Sequence, residues 1–482
     1  MIDLTKLGQA TVINRNNNKP DALHMITPIN IVSDMVDLLD SSSWTKDTKF
    51  LDIACKSGNF LREIYVRLMN CSSLIKEFPD SVYRSEWILN NQLYGIAFSE
   101  LDVAIATRNV YGIYTSTSNI KYMPNYMDLV KRNRVIERVK ETFGTMKFDV
   151  VVGNPPYNND IYIDFVLMSK QLTCGQSQIC MITPAKWQAK GGDKNEQFRR
   201  EIVPYMSDIV YYKDSTDVFD IEEWGGICYY TLCEQDSRIK IVSSICSKNT
   251  ALQFTSQEHD EDMPILYSRD ILNIIGKVGQ LGDGFKQSVH VKNIDHGEIN
   301  MSSQLGSWFK QSMYVKNTDY GETHNADNNI PDGYVAVMQG DTICGIKSKN
   351  KLNTTFNLDK YKCICSVMPG AVSTFDKNGK VLGMFKISII KPDQVPKGSF
   401  PVLRYFDTEH ECESYISFME CKLCAFLYYL GCCGTTLTRE FFRFIPDPGR
   451  FDHIFTDEEL YQKYNLTQEE INIIESIIKE RK

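Results

Sequence analysis

No run of about 18 apolar residues occurs anywhere in this chain of 482 residues, so its pattern holds no membrane-spanning helix. The opening Met1-Ile-Asp-Leu-Thr-Lys lacks the apolar core of a secretory signal. A soluble, cytoplasmic protein with no membrane partner is expected. Positive charge is also short: the formal net charge is -8, which argues against a protein that coats nucleic acid through bulk charge. A disulfide framework is not expected either, because the 15 cysteines are scattered through a large chain without an export signal. Cys421 and Cys424 have a zinc-like spacing, but Cys432 and Cys433 are adjacent and adjacent residues rarely ligate one tetrahedral ion. Helical apolar spacing from Ile416 to Leu430 makes these cysteines core residues, and no metal is expected.

What is present is an ordinary globular mixture, 43% apolar and 24% charged, in a length that suits two domains. The first half alternates two periods. Short apolar runs at Lys49–Ile53, Leu93–Phe98, Lys147–Val152 and Gln178–Thr183 read as strands. Amphipathic segments at Gly58–Leu68, through Ala104 to Val110, at Ile161–Leu172 and near Asn195–Val203 read as helices. Such alternation implies an α/β fold, a doubly wound and mostly parallel sheet covered on both faces, with ligands beyond the carboxyl ends of the strands. Near residue 234 the rhythm gives way to short strands and polar loops, which predicts domains over 1–234 and 235–445 and a helical tail over 446–482. Thr467 and Glu470 are placed to form a capping box in that tail. The second region, expected to be mixed α+β, holds a repeat: Gln280 to Ser288 recurs as Gln304 to Ser312, which reads as a local duplication within 280–322. It is also locally basic, with ten lysines from Lys347 to Lys397 against Asp341, Asp359, Asp376 and Asp393.

The most specific motif is Asn154-Pro155-Pro156-Tyr157, directly after the strand Phe148–Val152. Two prolines cannot continue a ladder or enter a helix interior, so they fix a rigid turn at the carboxyl edge of the sheet. The turn presents Asn154 and Tyr157 to a ligand, and the Asn154 side-chain oxygen and the Pro155 carbonyl are two acceptors suited to an amino group. Upstream, Phe50-Leu-Asp-Ile-Ala-Cys-Lys-Ser-Gly-Asn-Phe-Leu61 runs from a strand through small residues into a helix, where backbone groups can approach a nucleoside closely.

With these motifs in this order, residues 24–233 resemble the gamma-class N6-adenine DNA methyltransferases of restriction-modification systems, and the remainder does so loosely. The resemblance implies the class I S-adenosylmethionine-dependent methyltransferase fold, S-adenosylmethionine as cofactor, double-stranded DNA as partner, a catalytic region over 1–234 and a target-recognition domain over 235–445. It implies catalysis by Asn154, Pro155, Pro156 and Tyr157 on a flipped adenine, with Tyr157 and Phe219 packing on the base. Position by position, Thr27 and Pro28, ahead of a helix at Ile31–Leu39, resemble the motif that contacts the methionine part of the cofactor. Asp52, Ala54, Cys55 and Gly58 match the glycine-loop motif. Three departures stand out. Lys56 replaces a glycine, so either the backbone there needs no positive φ or the loop is altered. Ala97 stands where an acidic ribose ligand is usual, leaving Glu100 as a substitute or a helix-surface residue. Asp128 is a candidate for the cofactor's adenine amino group, or else a helix N-cap. A protein glutamine N5-methyltransferase is the nearest alternative, because the same turn could hold a side-chain amide; an inactive DNA-binding relative is another. The chain before Thr27 is too short for a nuclease domain, so any restriction endonuclease is expected to be a separate partner.

Overall fold

The structure is a computed structural model that describes residues 25–113, 117–145, 147–188, 193–221, 223, 225–233, 238–245, 248–255, 269–279, 330–352, 357–368, 380–397, 399–432, 437, 439–442, 444–446 and 448–480. The repeat within 280–322, together with Cys433, lies outside these residues. The chain divides into two compact units, Met1–Ser268 and Arg269–Lys482.

The first unit is built on a nine-stranded sheet of β1 (Phe50–Asp52), β2 (Leu93–Ala97), β3 (Ile120–Tyr122), β4 (Phe148–Gly153), β5 (Thr173–Pro184), β6 (Met206–Tyr212), β7 (Ile227–Leu232), β8 (Arg238–Ile245) and β9 (Lys248–Thr255). Their spatial order is β3-β2-β1-β4-β5-β7-β6-β8-β9. From β3 to β5 every pairing is parallel, and β7 enters antiparallel to both β5 and β6. β1 and β2 are buried along their whole length, as strands covered on both faces must be, which is why they read as continuous apolar runs. The helix Asn59–Asn70 follows β1 and buries Phe60, Leu61, Ile64 and Leu68 together with Asn59, while its charged positions are partly exposed. Glu100–Tyr111 and Ile161–Leu172 follow β2 and β4 in the same way. This is the doubly wound, mostly parallel sheet that the alternation of strands and helices in the sequence predicts. The change of pattern near residue 234 is not where the sheet ends, because β8 pairs in parallel with β6 and β9 folds back onto β8.

The second unit has two three-stranded sheets. One orders β11 (Thr342–Ser348), β10 (Tyr334–Gln339) and β14 (Gln394–Pro396); the other orders β13 (Ser388–Ile390), β12 (Tyr361–Ile364) and β15 (Val402–Phe406). Two helices follow, Glu409–Glu420 and Lys422–Gly431, the second buried from Leu423 to Gly431. Phe406, Tyr415, Phe418, Phe451 and Phe455 form an edge-packed aromatic group with centroid separations of 5.1 to 6.2 Å. Cys421, Cys424 and Cys432 are buried in the same unit; burial pushes the Cys421 thiol up to about 12 and raises that of Cys424. Thiols held protonated in this way behave as small apolar core groups.

Four of the ten lysines in the locally basic stretch are in ion pairs, two with acids of the stretch itself and two with acids beyond it. Lys349 pairs with Asp393 at 2.7 Å, Lys360 with Asp407, Lys386 with Asp341 and Lys391 with Glu409 at 3.6 Å. Lys362 is buried, donates to the Lys360 carbonyl at 2.6 Å, and has its ammonium pushed down to about 8 by burial. It is not placed to meet a polyanion.

Thr467 caps the helix Gln468–Ile477 with the reciprocal bonds to Glu470 that the sequence predicts. Glu470 also pairs with Lys277 at 2.7 Å. Thr467→Ala should lower stability by about 1 kcal/mol, measurable as a shift of the urea midpoint with unchanged slope; an unshifted midpoint would remove the cap from the account. Among the described residues no helix is long and apolar enough to cross a membrane.

Candidate active site

The carboxyl ends of β1, β2 and β4 lie side by side, since Asp52 is in register with both Gly95 and Val152. Two close approaches shape this edge. Gly58 caps the helix Asn59–Asn70 with φ +76°, and a Cβ there would meet Val110 Cγ2 at 3.0 Å. At Gly153 a Cβ would lie 2.9 Å from Ile53 Cγ1, so only glycine lets the end of β4 rest against the end of β1.

Asp52 is 2% exposed, and its Oδ1 accepts from the Ala54 amide at 3.0 Å. Burial pushes its carboxyl up to about 7, opposed by the Ala54 amide, by the charge of Lys56 and by a bond from Cys55. The Cys55 thiol is raised by its own burial and by Asp52, so it remains protonated. Ala54 is buried in the same turn.

Lys56 is not among the residues with positive φ. The backbone there needs no glycine, which resolves the departure seen in the sequence. Its side chain turns inward, and Nζ donates to the Met25 carbonyl at 2.9 Å and the Asn154 carbonyl at 3.2 Å.

The turn after β4 holds Asn154 at 3% exposure and buries Pro155, Pro156 and Tyr157 with it. Asn154 Nδ2 donates to Thr27 Oγ1 at 3.2 Å and lies 3.5 Å from the Met25 carbonyl. Among the described residues Asn154 Oδ1, which is buried, has no hydrogen-bond partner, and neither has the Tyr157 hydroxyl. Burial raises the Tyr157 phenol, so it stays protonated and can only act as a neutral group. The Tyr157 and Phe219 rings meet edge to face with centroids 6.5 Å apart. Phe219 reaches that position from a tight turn in which its amide donates to the Ser215 carbonyl at 2.8 Å.

Thr27 and Pro28 lie at the start of the helix Ile29–Asp37, which begins and ends two residues before the predicted Ile31–Leu39. The Thr27 carbonyl accepts from Asn59 Nδ2 at 3.0 Å, tying this segment to the helix after Gly58. Ala97 is fully buried, and its carbonyl accepts from the Met123 amide. Glu100 is exposed in the first turn of its helix, which Ser99 caps through the Asp102 amide at 3.1 Å. Asp128 is half-exposed, in an ion pair with Arg132 at 3.1 Å; Asn125, not Asp128, holds the N-cap position of that helix.

Sequence reasoning missed Tyr126. It is buried, its hydroxyl has no hydrogen-bond partner among the described residues, and the Asp52 charge adds to the burial that raises its phenol. Residues two apart on a helix point about 200° apart, so with Tyr126 turned inward Asp128 must face outward. Knowing where the helix Tyr126–Lys131 begins, with Tyr126 apolar and Asp128 charged, was the available signal.

The site thus gathers a buried carboxyl, a buried ammonium, a fixed carboxamide with a spare acceptor, and two aromatic rings. Among the described residues no group of three or more His, Cys, Asp or Glu could hold a metal ion.

The Eco57I restriction-modification methylase family model matches residues 91–159 and 157–219, from β2 through Asn154 and Tyr157 to Phe219. An uncharacterized adenine-specific methylase of Mycoplasma pneumoniae is 24% identical over 282 residues, covering 43% of this chain and 66% of that protein. Among solved structures, the DNA-bound type ISP restriction-modification enzyme LlaBIII is 13% identical, covering 82% of this chain and 34% of its own, with a TM-score of 0.42. The type I restriction enzyme EcoKI M protein is 12% identical, covering 46% of this chain and 48% of its own, with a TM-score of 0.36. A putative class I S-adenosylmethionine-dependent methyltransferase from Listeria monocytogenes is 13% identical, covering 50% and 71%, with a TM-score of 0.33. The chain spans 66% of the Mycoplasma relative and about half or less of the two restriction-enzyme structures. The family match agrees with the resemblance read from the sequence: residues 91–219, which include the Asn-Pro-Pro-Tyr turn, match the Eco57I restriction-modification methylase model.

Proposed function

We propose that this chain transfers a methyl group from S-adenosylmethionine to the N6 amino group of an adenine turned out of a DNA duplex. The observation that carries the reading is the Asn154 carboxamide, whose Nδ2 is occupied while its buried Oδ1 has no partner. A buried acceptor without a donor is costly, which marks it as a place for a ligand's N–H. An adenine amino nitrogen is a poor nucleophile because its lone pair is delocalised into the ring. Asn154 Oδ1 and the Pro155 carbonyl, accepting its two hydrogens, draw that lone pair back onto nitrogen without a strong base. Base stacking then replaces the packing of Tyr157 against Phe219.

The residues present fit the cofactor. A buried carboxyl at Asp52 suits a cationic ligand, and the Tyr126 hydroxyl lacks a partner. Thr27, Pro28, Asp52, Ala54, Cys55 and Gly58 would hold it, with Tyr126 added; Glu100 and Asp128 lie toward solvent and would be reached only at its edge. When bound, S-adenosylmethionine supplies an electrophilic methyl group on its sulfonium.

DNA is favoured over a protein glutamine because the family match is to restriction-modification methylases and because a large second unit follows the catalytic one. A pocket that accepts one flipped adenine cannot choose among adenines, so the second unit, Arg269–Lys482, is assigned the reading of neighbouring bases. The test supplies a labelled methyl donor with duplex DNA and with a glutamine-containing protein as competitor. Label recovered as N6-methyladenine supports the reading, and label recovered on glutamine overturns it.

Lys347, Lys349 and Lys351 remain candidates for binding phosphate. Replacing all three with alanine should weaken binding alike on every DNA sequence and lower the salt slope by about 2 to 3, close to 0.9 for each phosphate that a lysine neutralises. Unchanged salt dependence would make them a solvated face.

A further inference from the structure

The buried ammonium of Lys56 takes no part in the chemistry above, yet it reaches two segments remote in sequence. It is 7% exposed and donates to the carbonyls of Met25 at 2.9 Å and Asn154 at 3.2 Å. Taking an ammonium out of water is expensive. Two charge-assisted bonds to carbonyls, with the Asp52 carboxyl close enough to feel its charge, offset that cost. An ammonium kept at such expense is best understood by what it fixes.

What it fixes is the surroundings of the Asn154 side chain. A carboxamide has nearly the same shape when turned over, but its polarity reverses. In the observed orientation Nδ2 donates to Thr27 Oγ1 at 3.2 Å and faces the Met25 carbonyl at 3.5 Å. A carbonyl can only accept, so the reversed amide would set Oδ1 against another oxygen. It would also present Nδ2 to the target amino group, two donors facing each other. The Met25 carbonyl stays in place because Lys56 holds it, and the same ammonium occupies the main-chain carbonyl of Asn154. Glycine, the usual residue of the resembling family at this position, has no group to do either.

We propose that Lys56 is a positioning residue for methyl transfer, acting through Met25 and Thr27 to hold the Asn154 carboxamide with its oxygen toward the substrate amino group. The proposal rests on the adenine-methylating reading of this site. Lys56 touches neither substrate nor cofactor in this role, so its loss should slow the chemical step and leave binding almost unchanged.

The experiment compares the full chain with Lys56→Met, which keeps the apolar stem, and with Thr27→Val and Thr27→Ser, which remove and keep the hydroxyl. Turnover of N6-methyladenine at saturating cofactor, KM for DNA, cofactor affinity and melting temperature are measured for each. Lys56→Met should lower kcat about tenfold with KM for DNA and cofactor affinity within about twofold of the parent. Thr27→Val should lower kcat by a similar factor, and Thr27→Ser should restore most of it. Joined in one chain, Lys56→Met and Thr27→Val should cost less than the product of their separate effects, because both act through one amide. An active parent with an unaffected Lys56→Met overturns the positioning role alone. If Lys56→Met fails to fold, the threonine pair decides: equal kcat in Thr27→Val and Thr27→Ser overturns the proposal. A parent that leaves DNA adenine unmethylated overturns the reading of the site, and the positioning role with it.

Discussion

Asn154→Ala should abolish methyl transfer while leaving cofactor affinity within about twofold of the parent. The variant removes the acceptor that the structure keeps buried and unpartnered, while Lys56 and Thr27 remain to hold the neighbouring segments. Loss of one preorganised group of this kind lowers a rate by about 10²-fold to 10³-fold, or roughly 3 to 4 kcal/mol of transition-state stabilisation. Binding should survive because Asn154 faces the amino group that reacts, not the bulk of the cofactor. The measurement pairs single-turnover transfer with calorimetry of cofactor binding in the same preparation. A rate within a few-fold of the parent would remove Asn154 from the reaction.

Asp52 carries the second large effect, and its sign depends on pH. In the free protein burial pushes its carboxyl up to about 7, so the folded chain binds a proton there that the unfolded chain releases near 4. The stabilising contribution of that protonated carboxyl is complete below about 4 and is lost as pH rises through 7. A cationic cofactor prefers the ionised form. Its affinity should therefore rise between pH 6 and pH 8, and binding near pH 7 should release protons. Asp52→Asn should weaken binding about 10-fold to 100-fold at pH 8, the range of one charge-assisted bond, and should flatten the pH dependence. Equal affinity in parent and variant at pH 8 would take Asp52 out of the cofactor site.

The first unit could be read closely from the chain because parallel strands buried on both faces leave apolar runs that need no partner to be recognised. The Asn-Pro-Pro-Tyr turn was equally legible, since two prolines after a strand permit little else. Partners distant in sequence were not legible. Nothing in the glycine-loop motif tells that Lys56 reaches carbonyls 31 and 98 residues away. The same limit applied to the lysine-rich stretch, where counting charges gave an excess but Asp407 and Glu409, from beyond the counted stretch, complete ion pairs with Lys360 and Lys391. The boundary read near residue 234 marks the end of the strand–helix alternation, not the end of the sheet. β8 and β9 form an antiparallel hairpin added beside β6, a pairing of strands distant from the central alternation. For Asp128 the sequence left a cofactor contact and a helix N-cap open, because one carboxylate in a short helix looks alike whichever it does; Asn125 holds the N-cap, and Asp128 pairs with Arg132.

The most direct test of the central claim is to map methylated adenines in the DNA of cells that express this chain, beside cells that express Asn154→Ala. The account predicts N6-methyladenine at a recurring sequence with the parent and none at that sequence with the variant. Absence of N6-methyladenine in both, with a folded parent that binds S-adenosylmethionine, would contradict it.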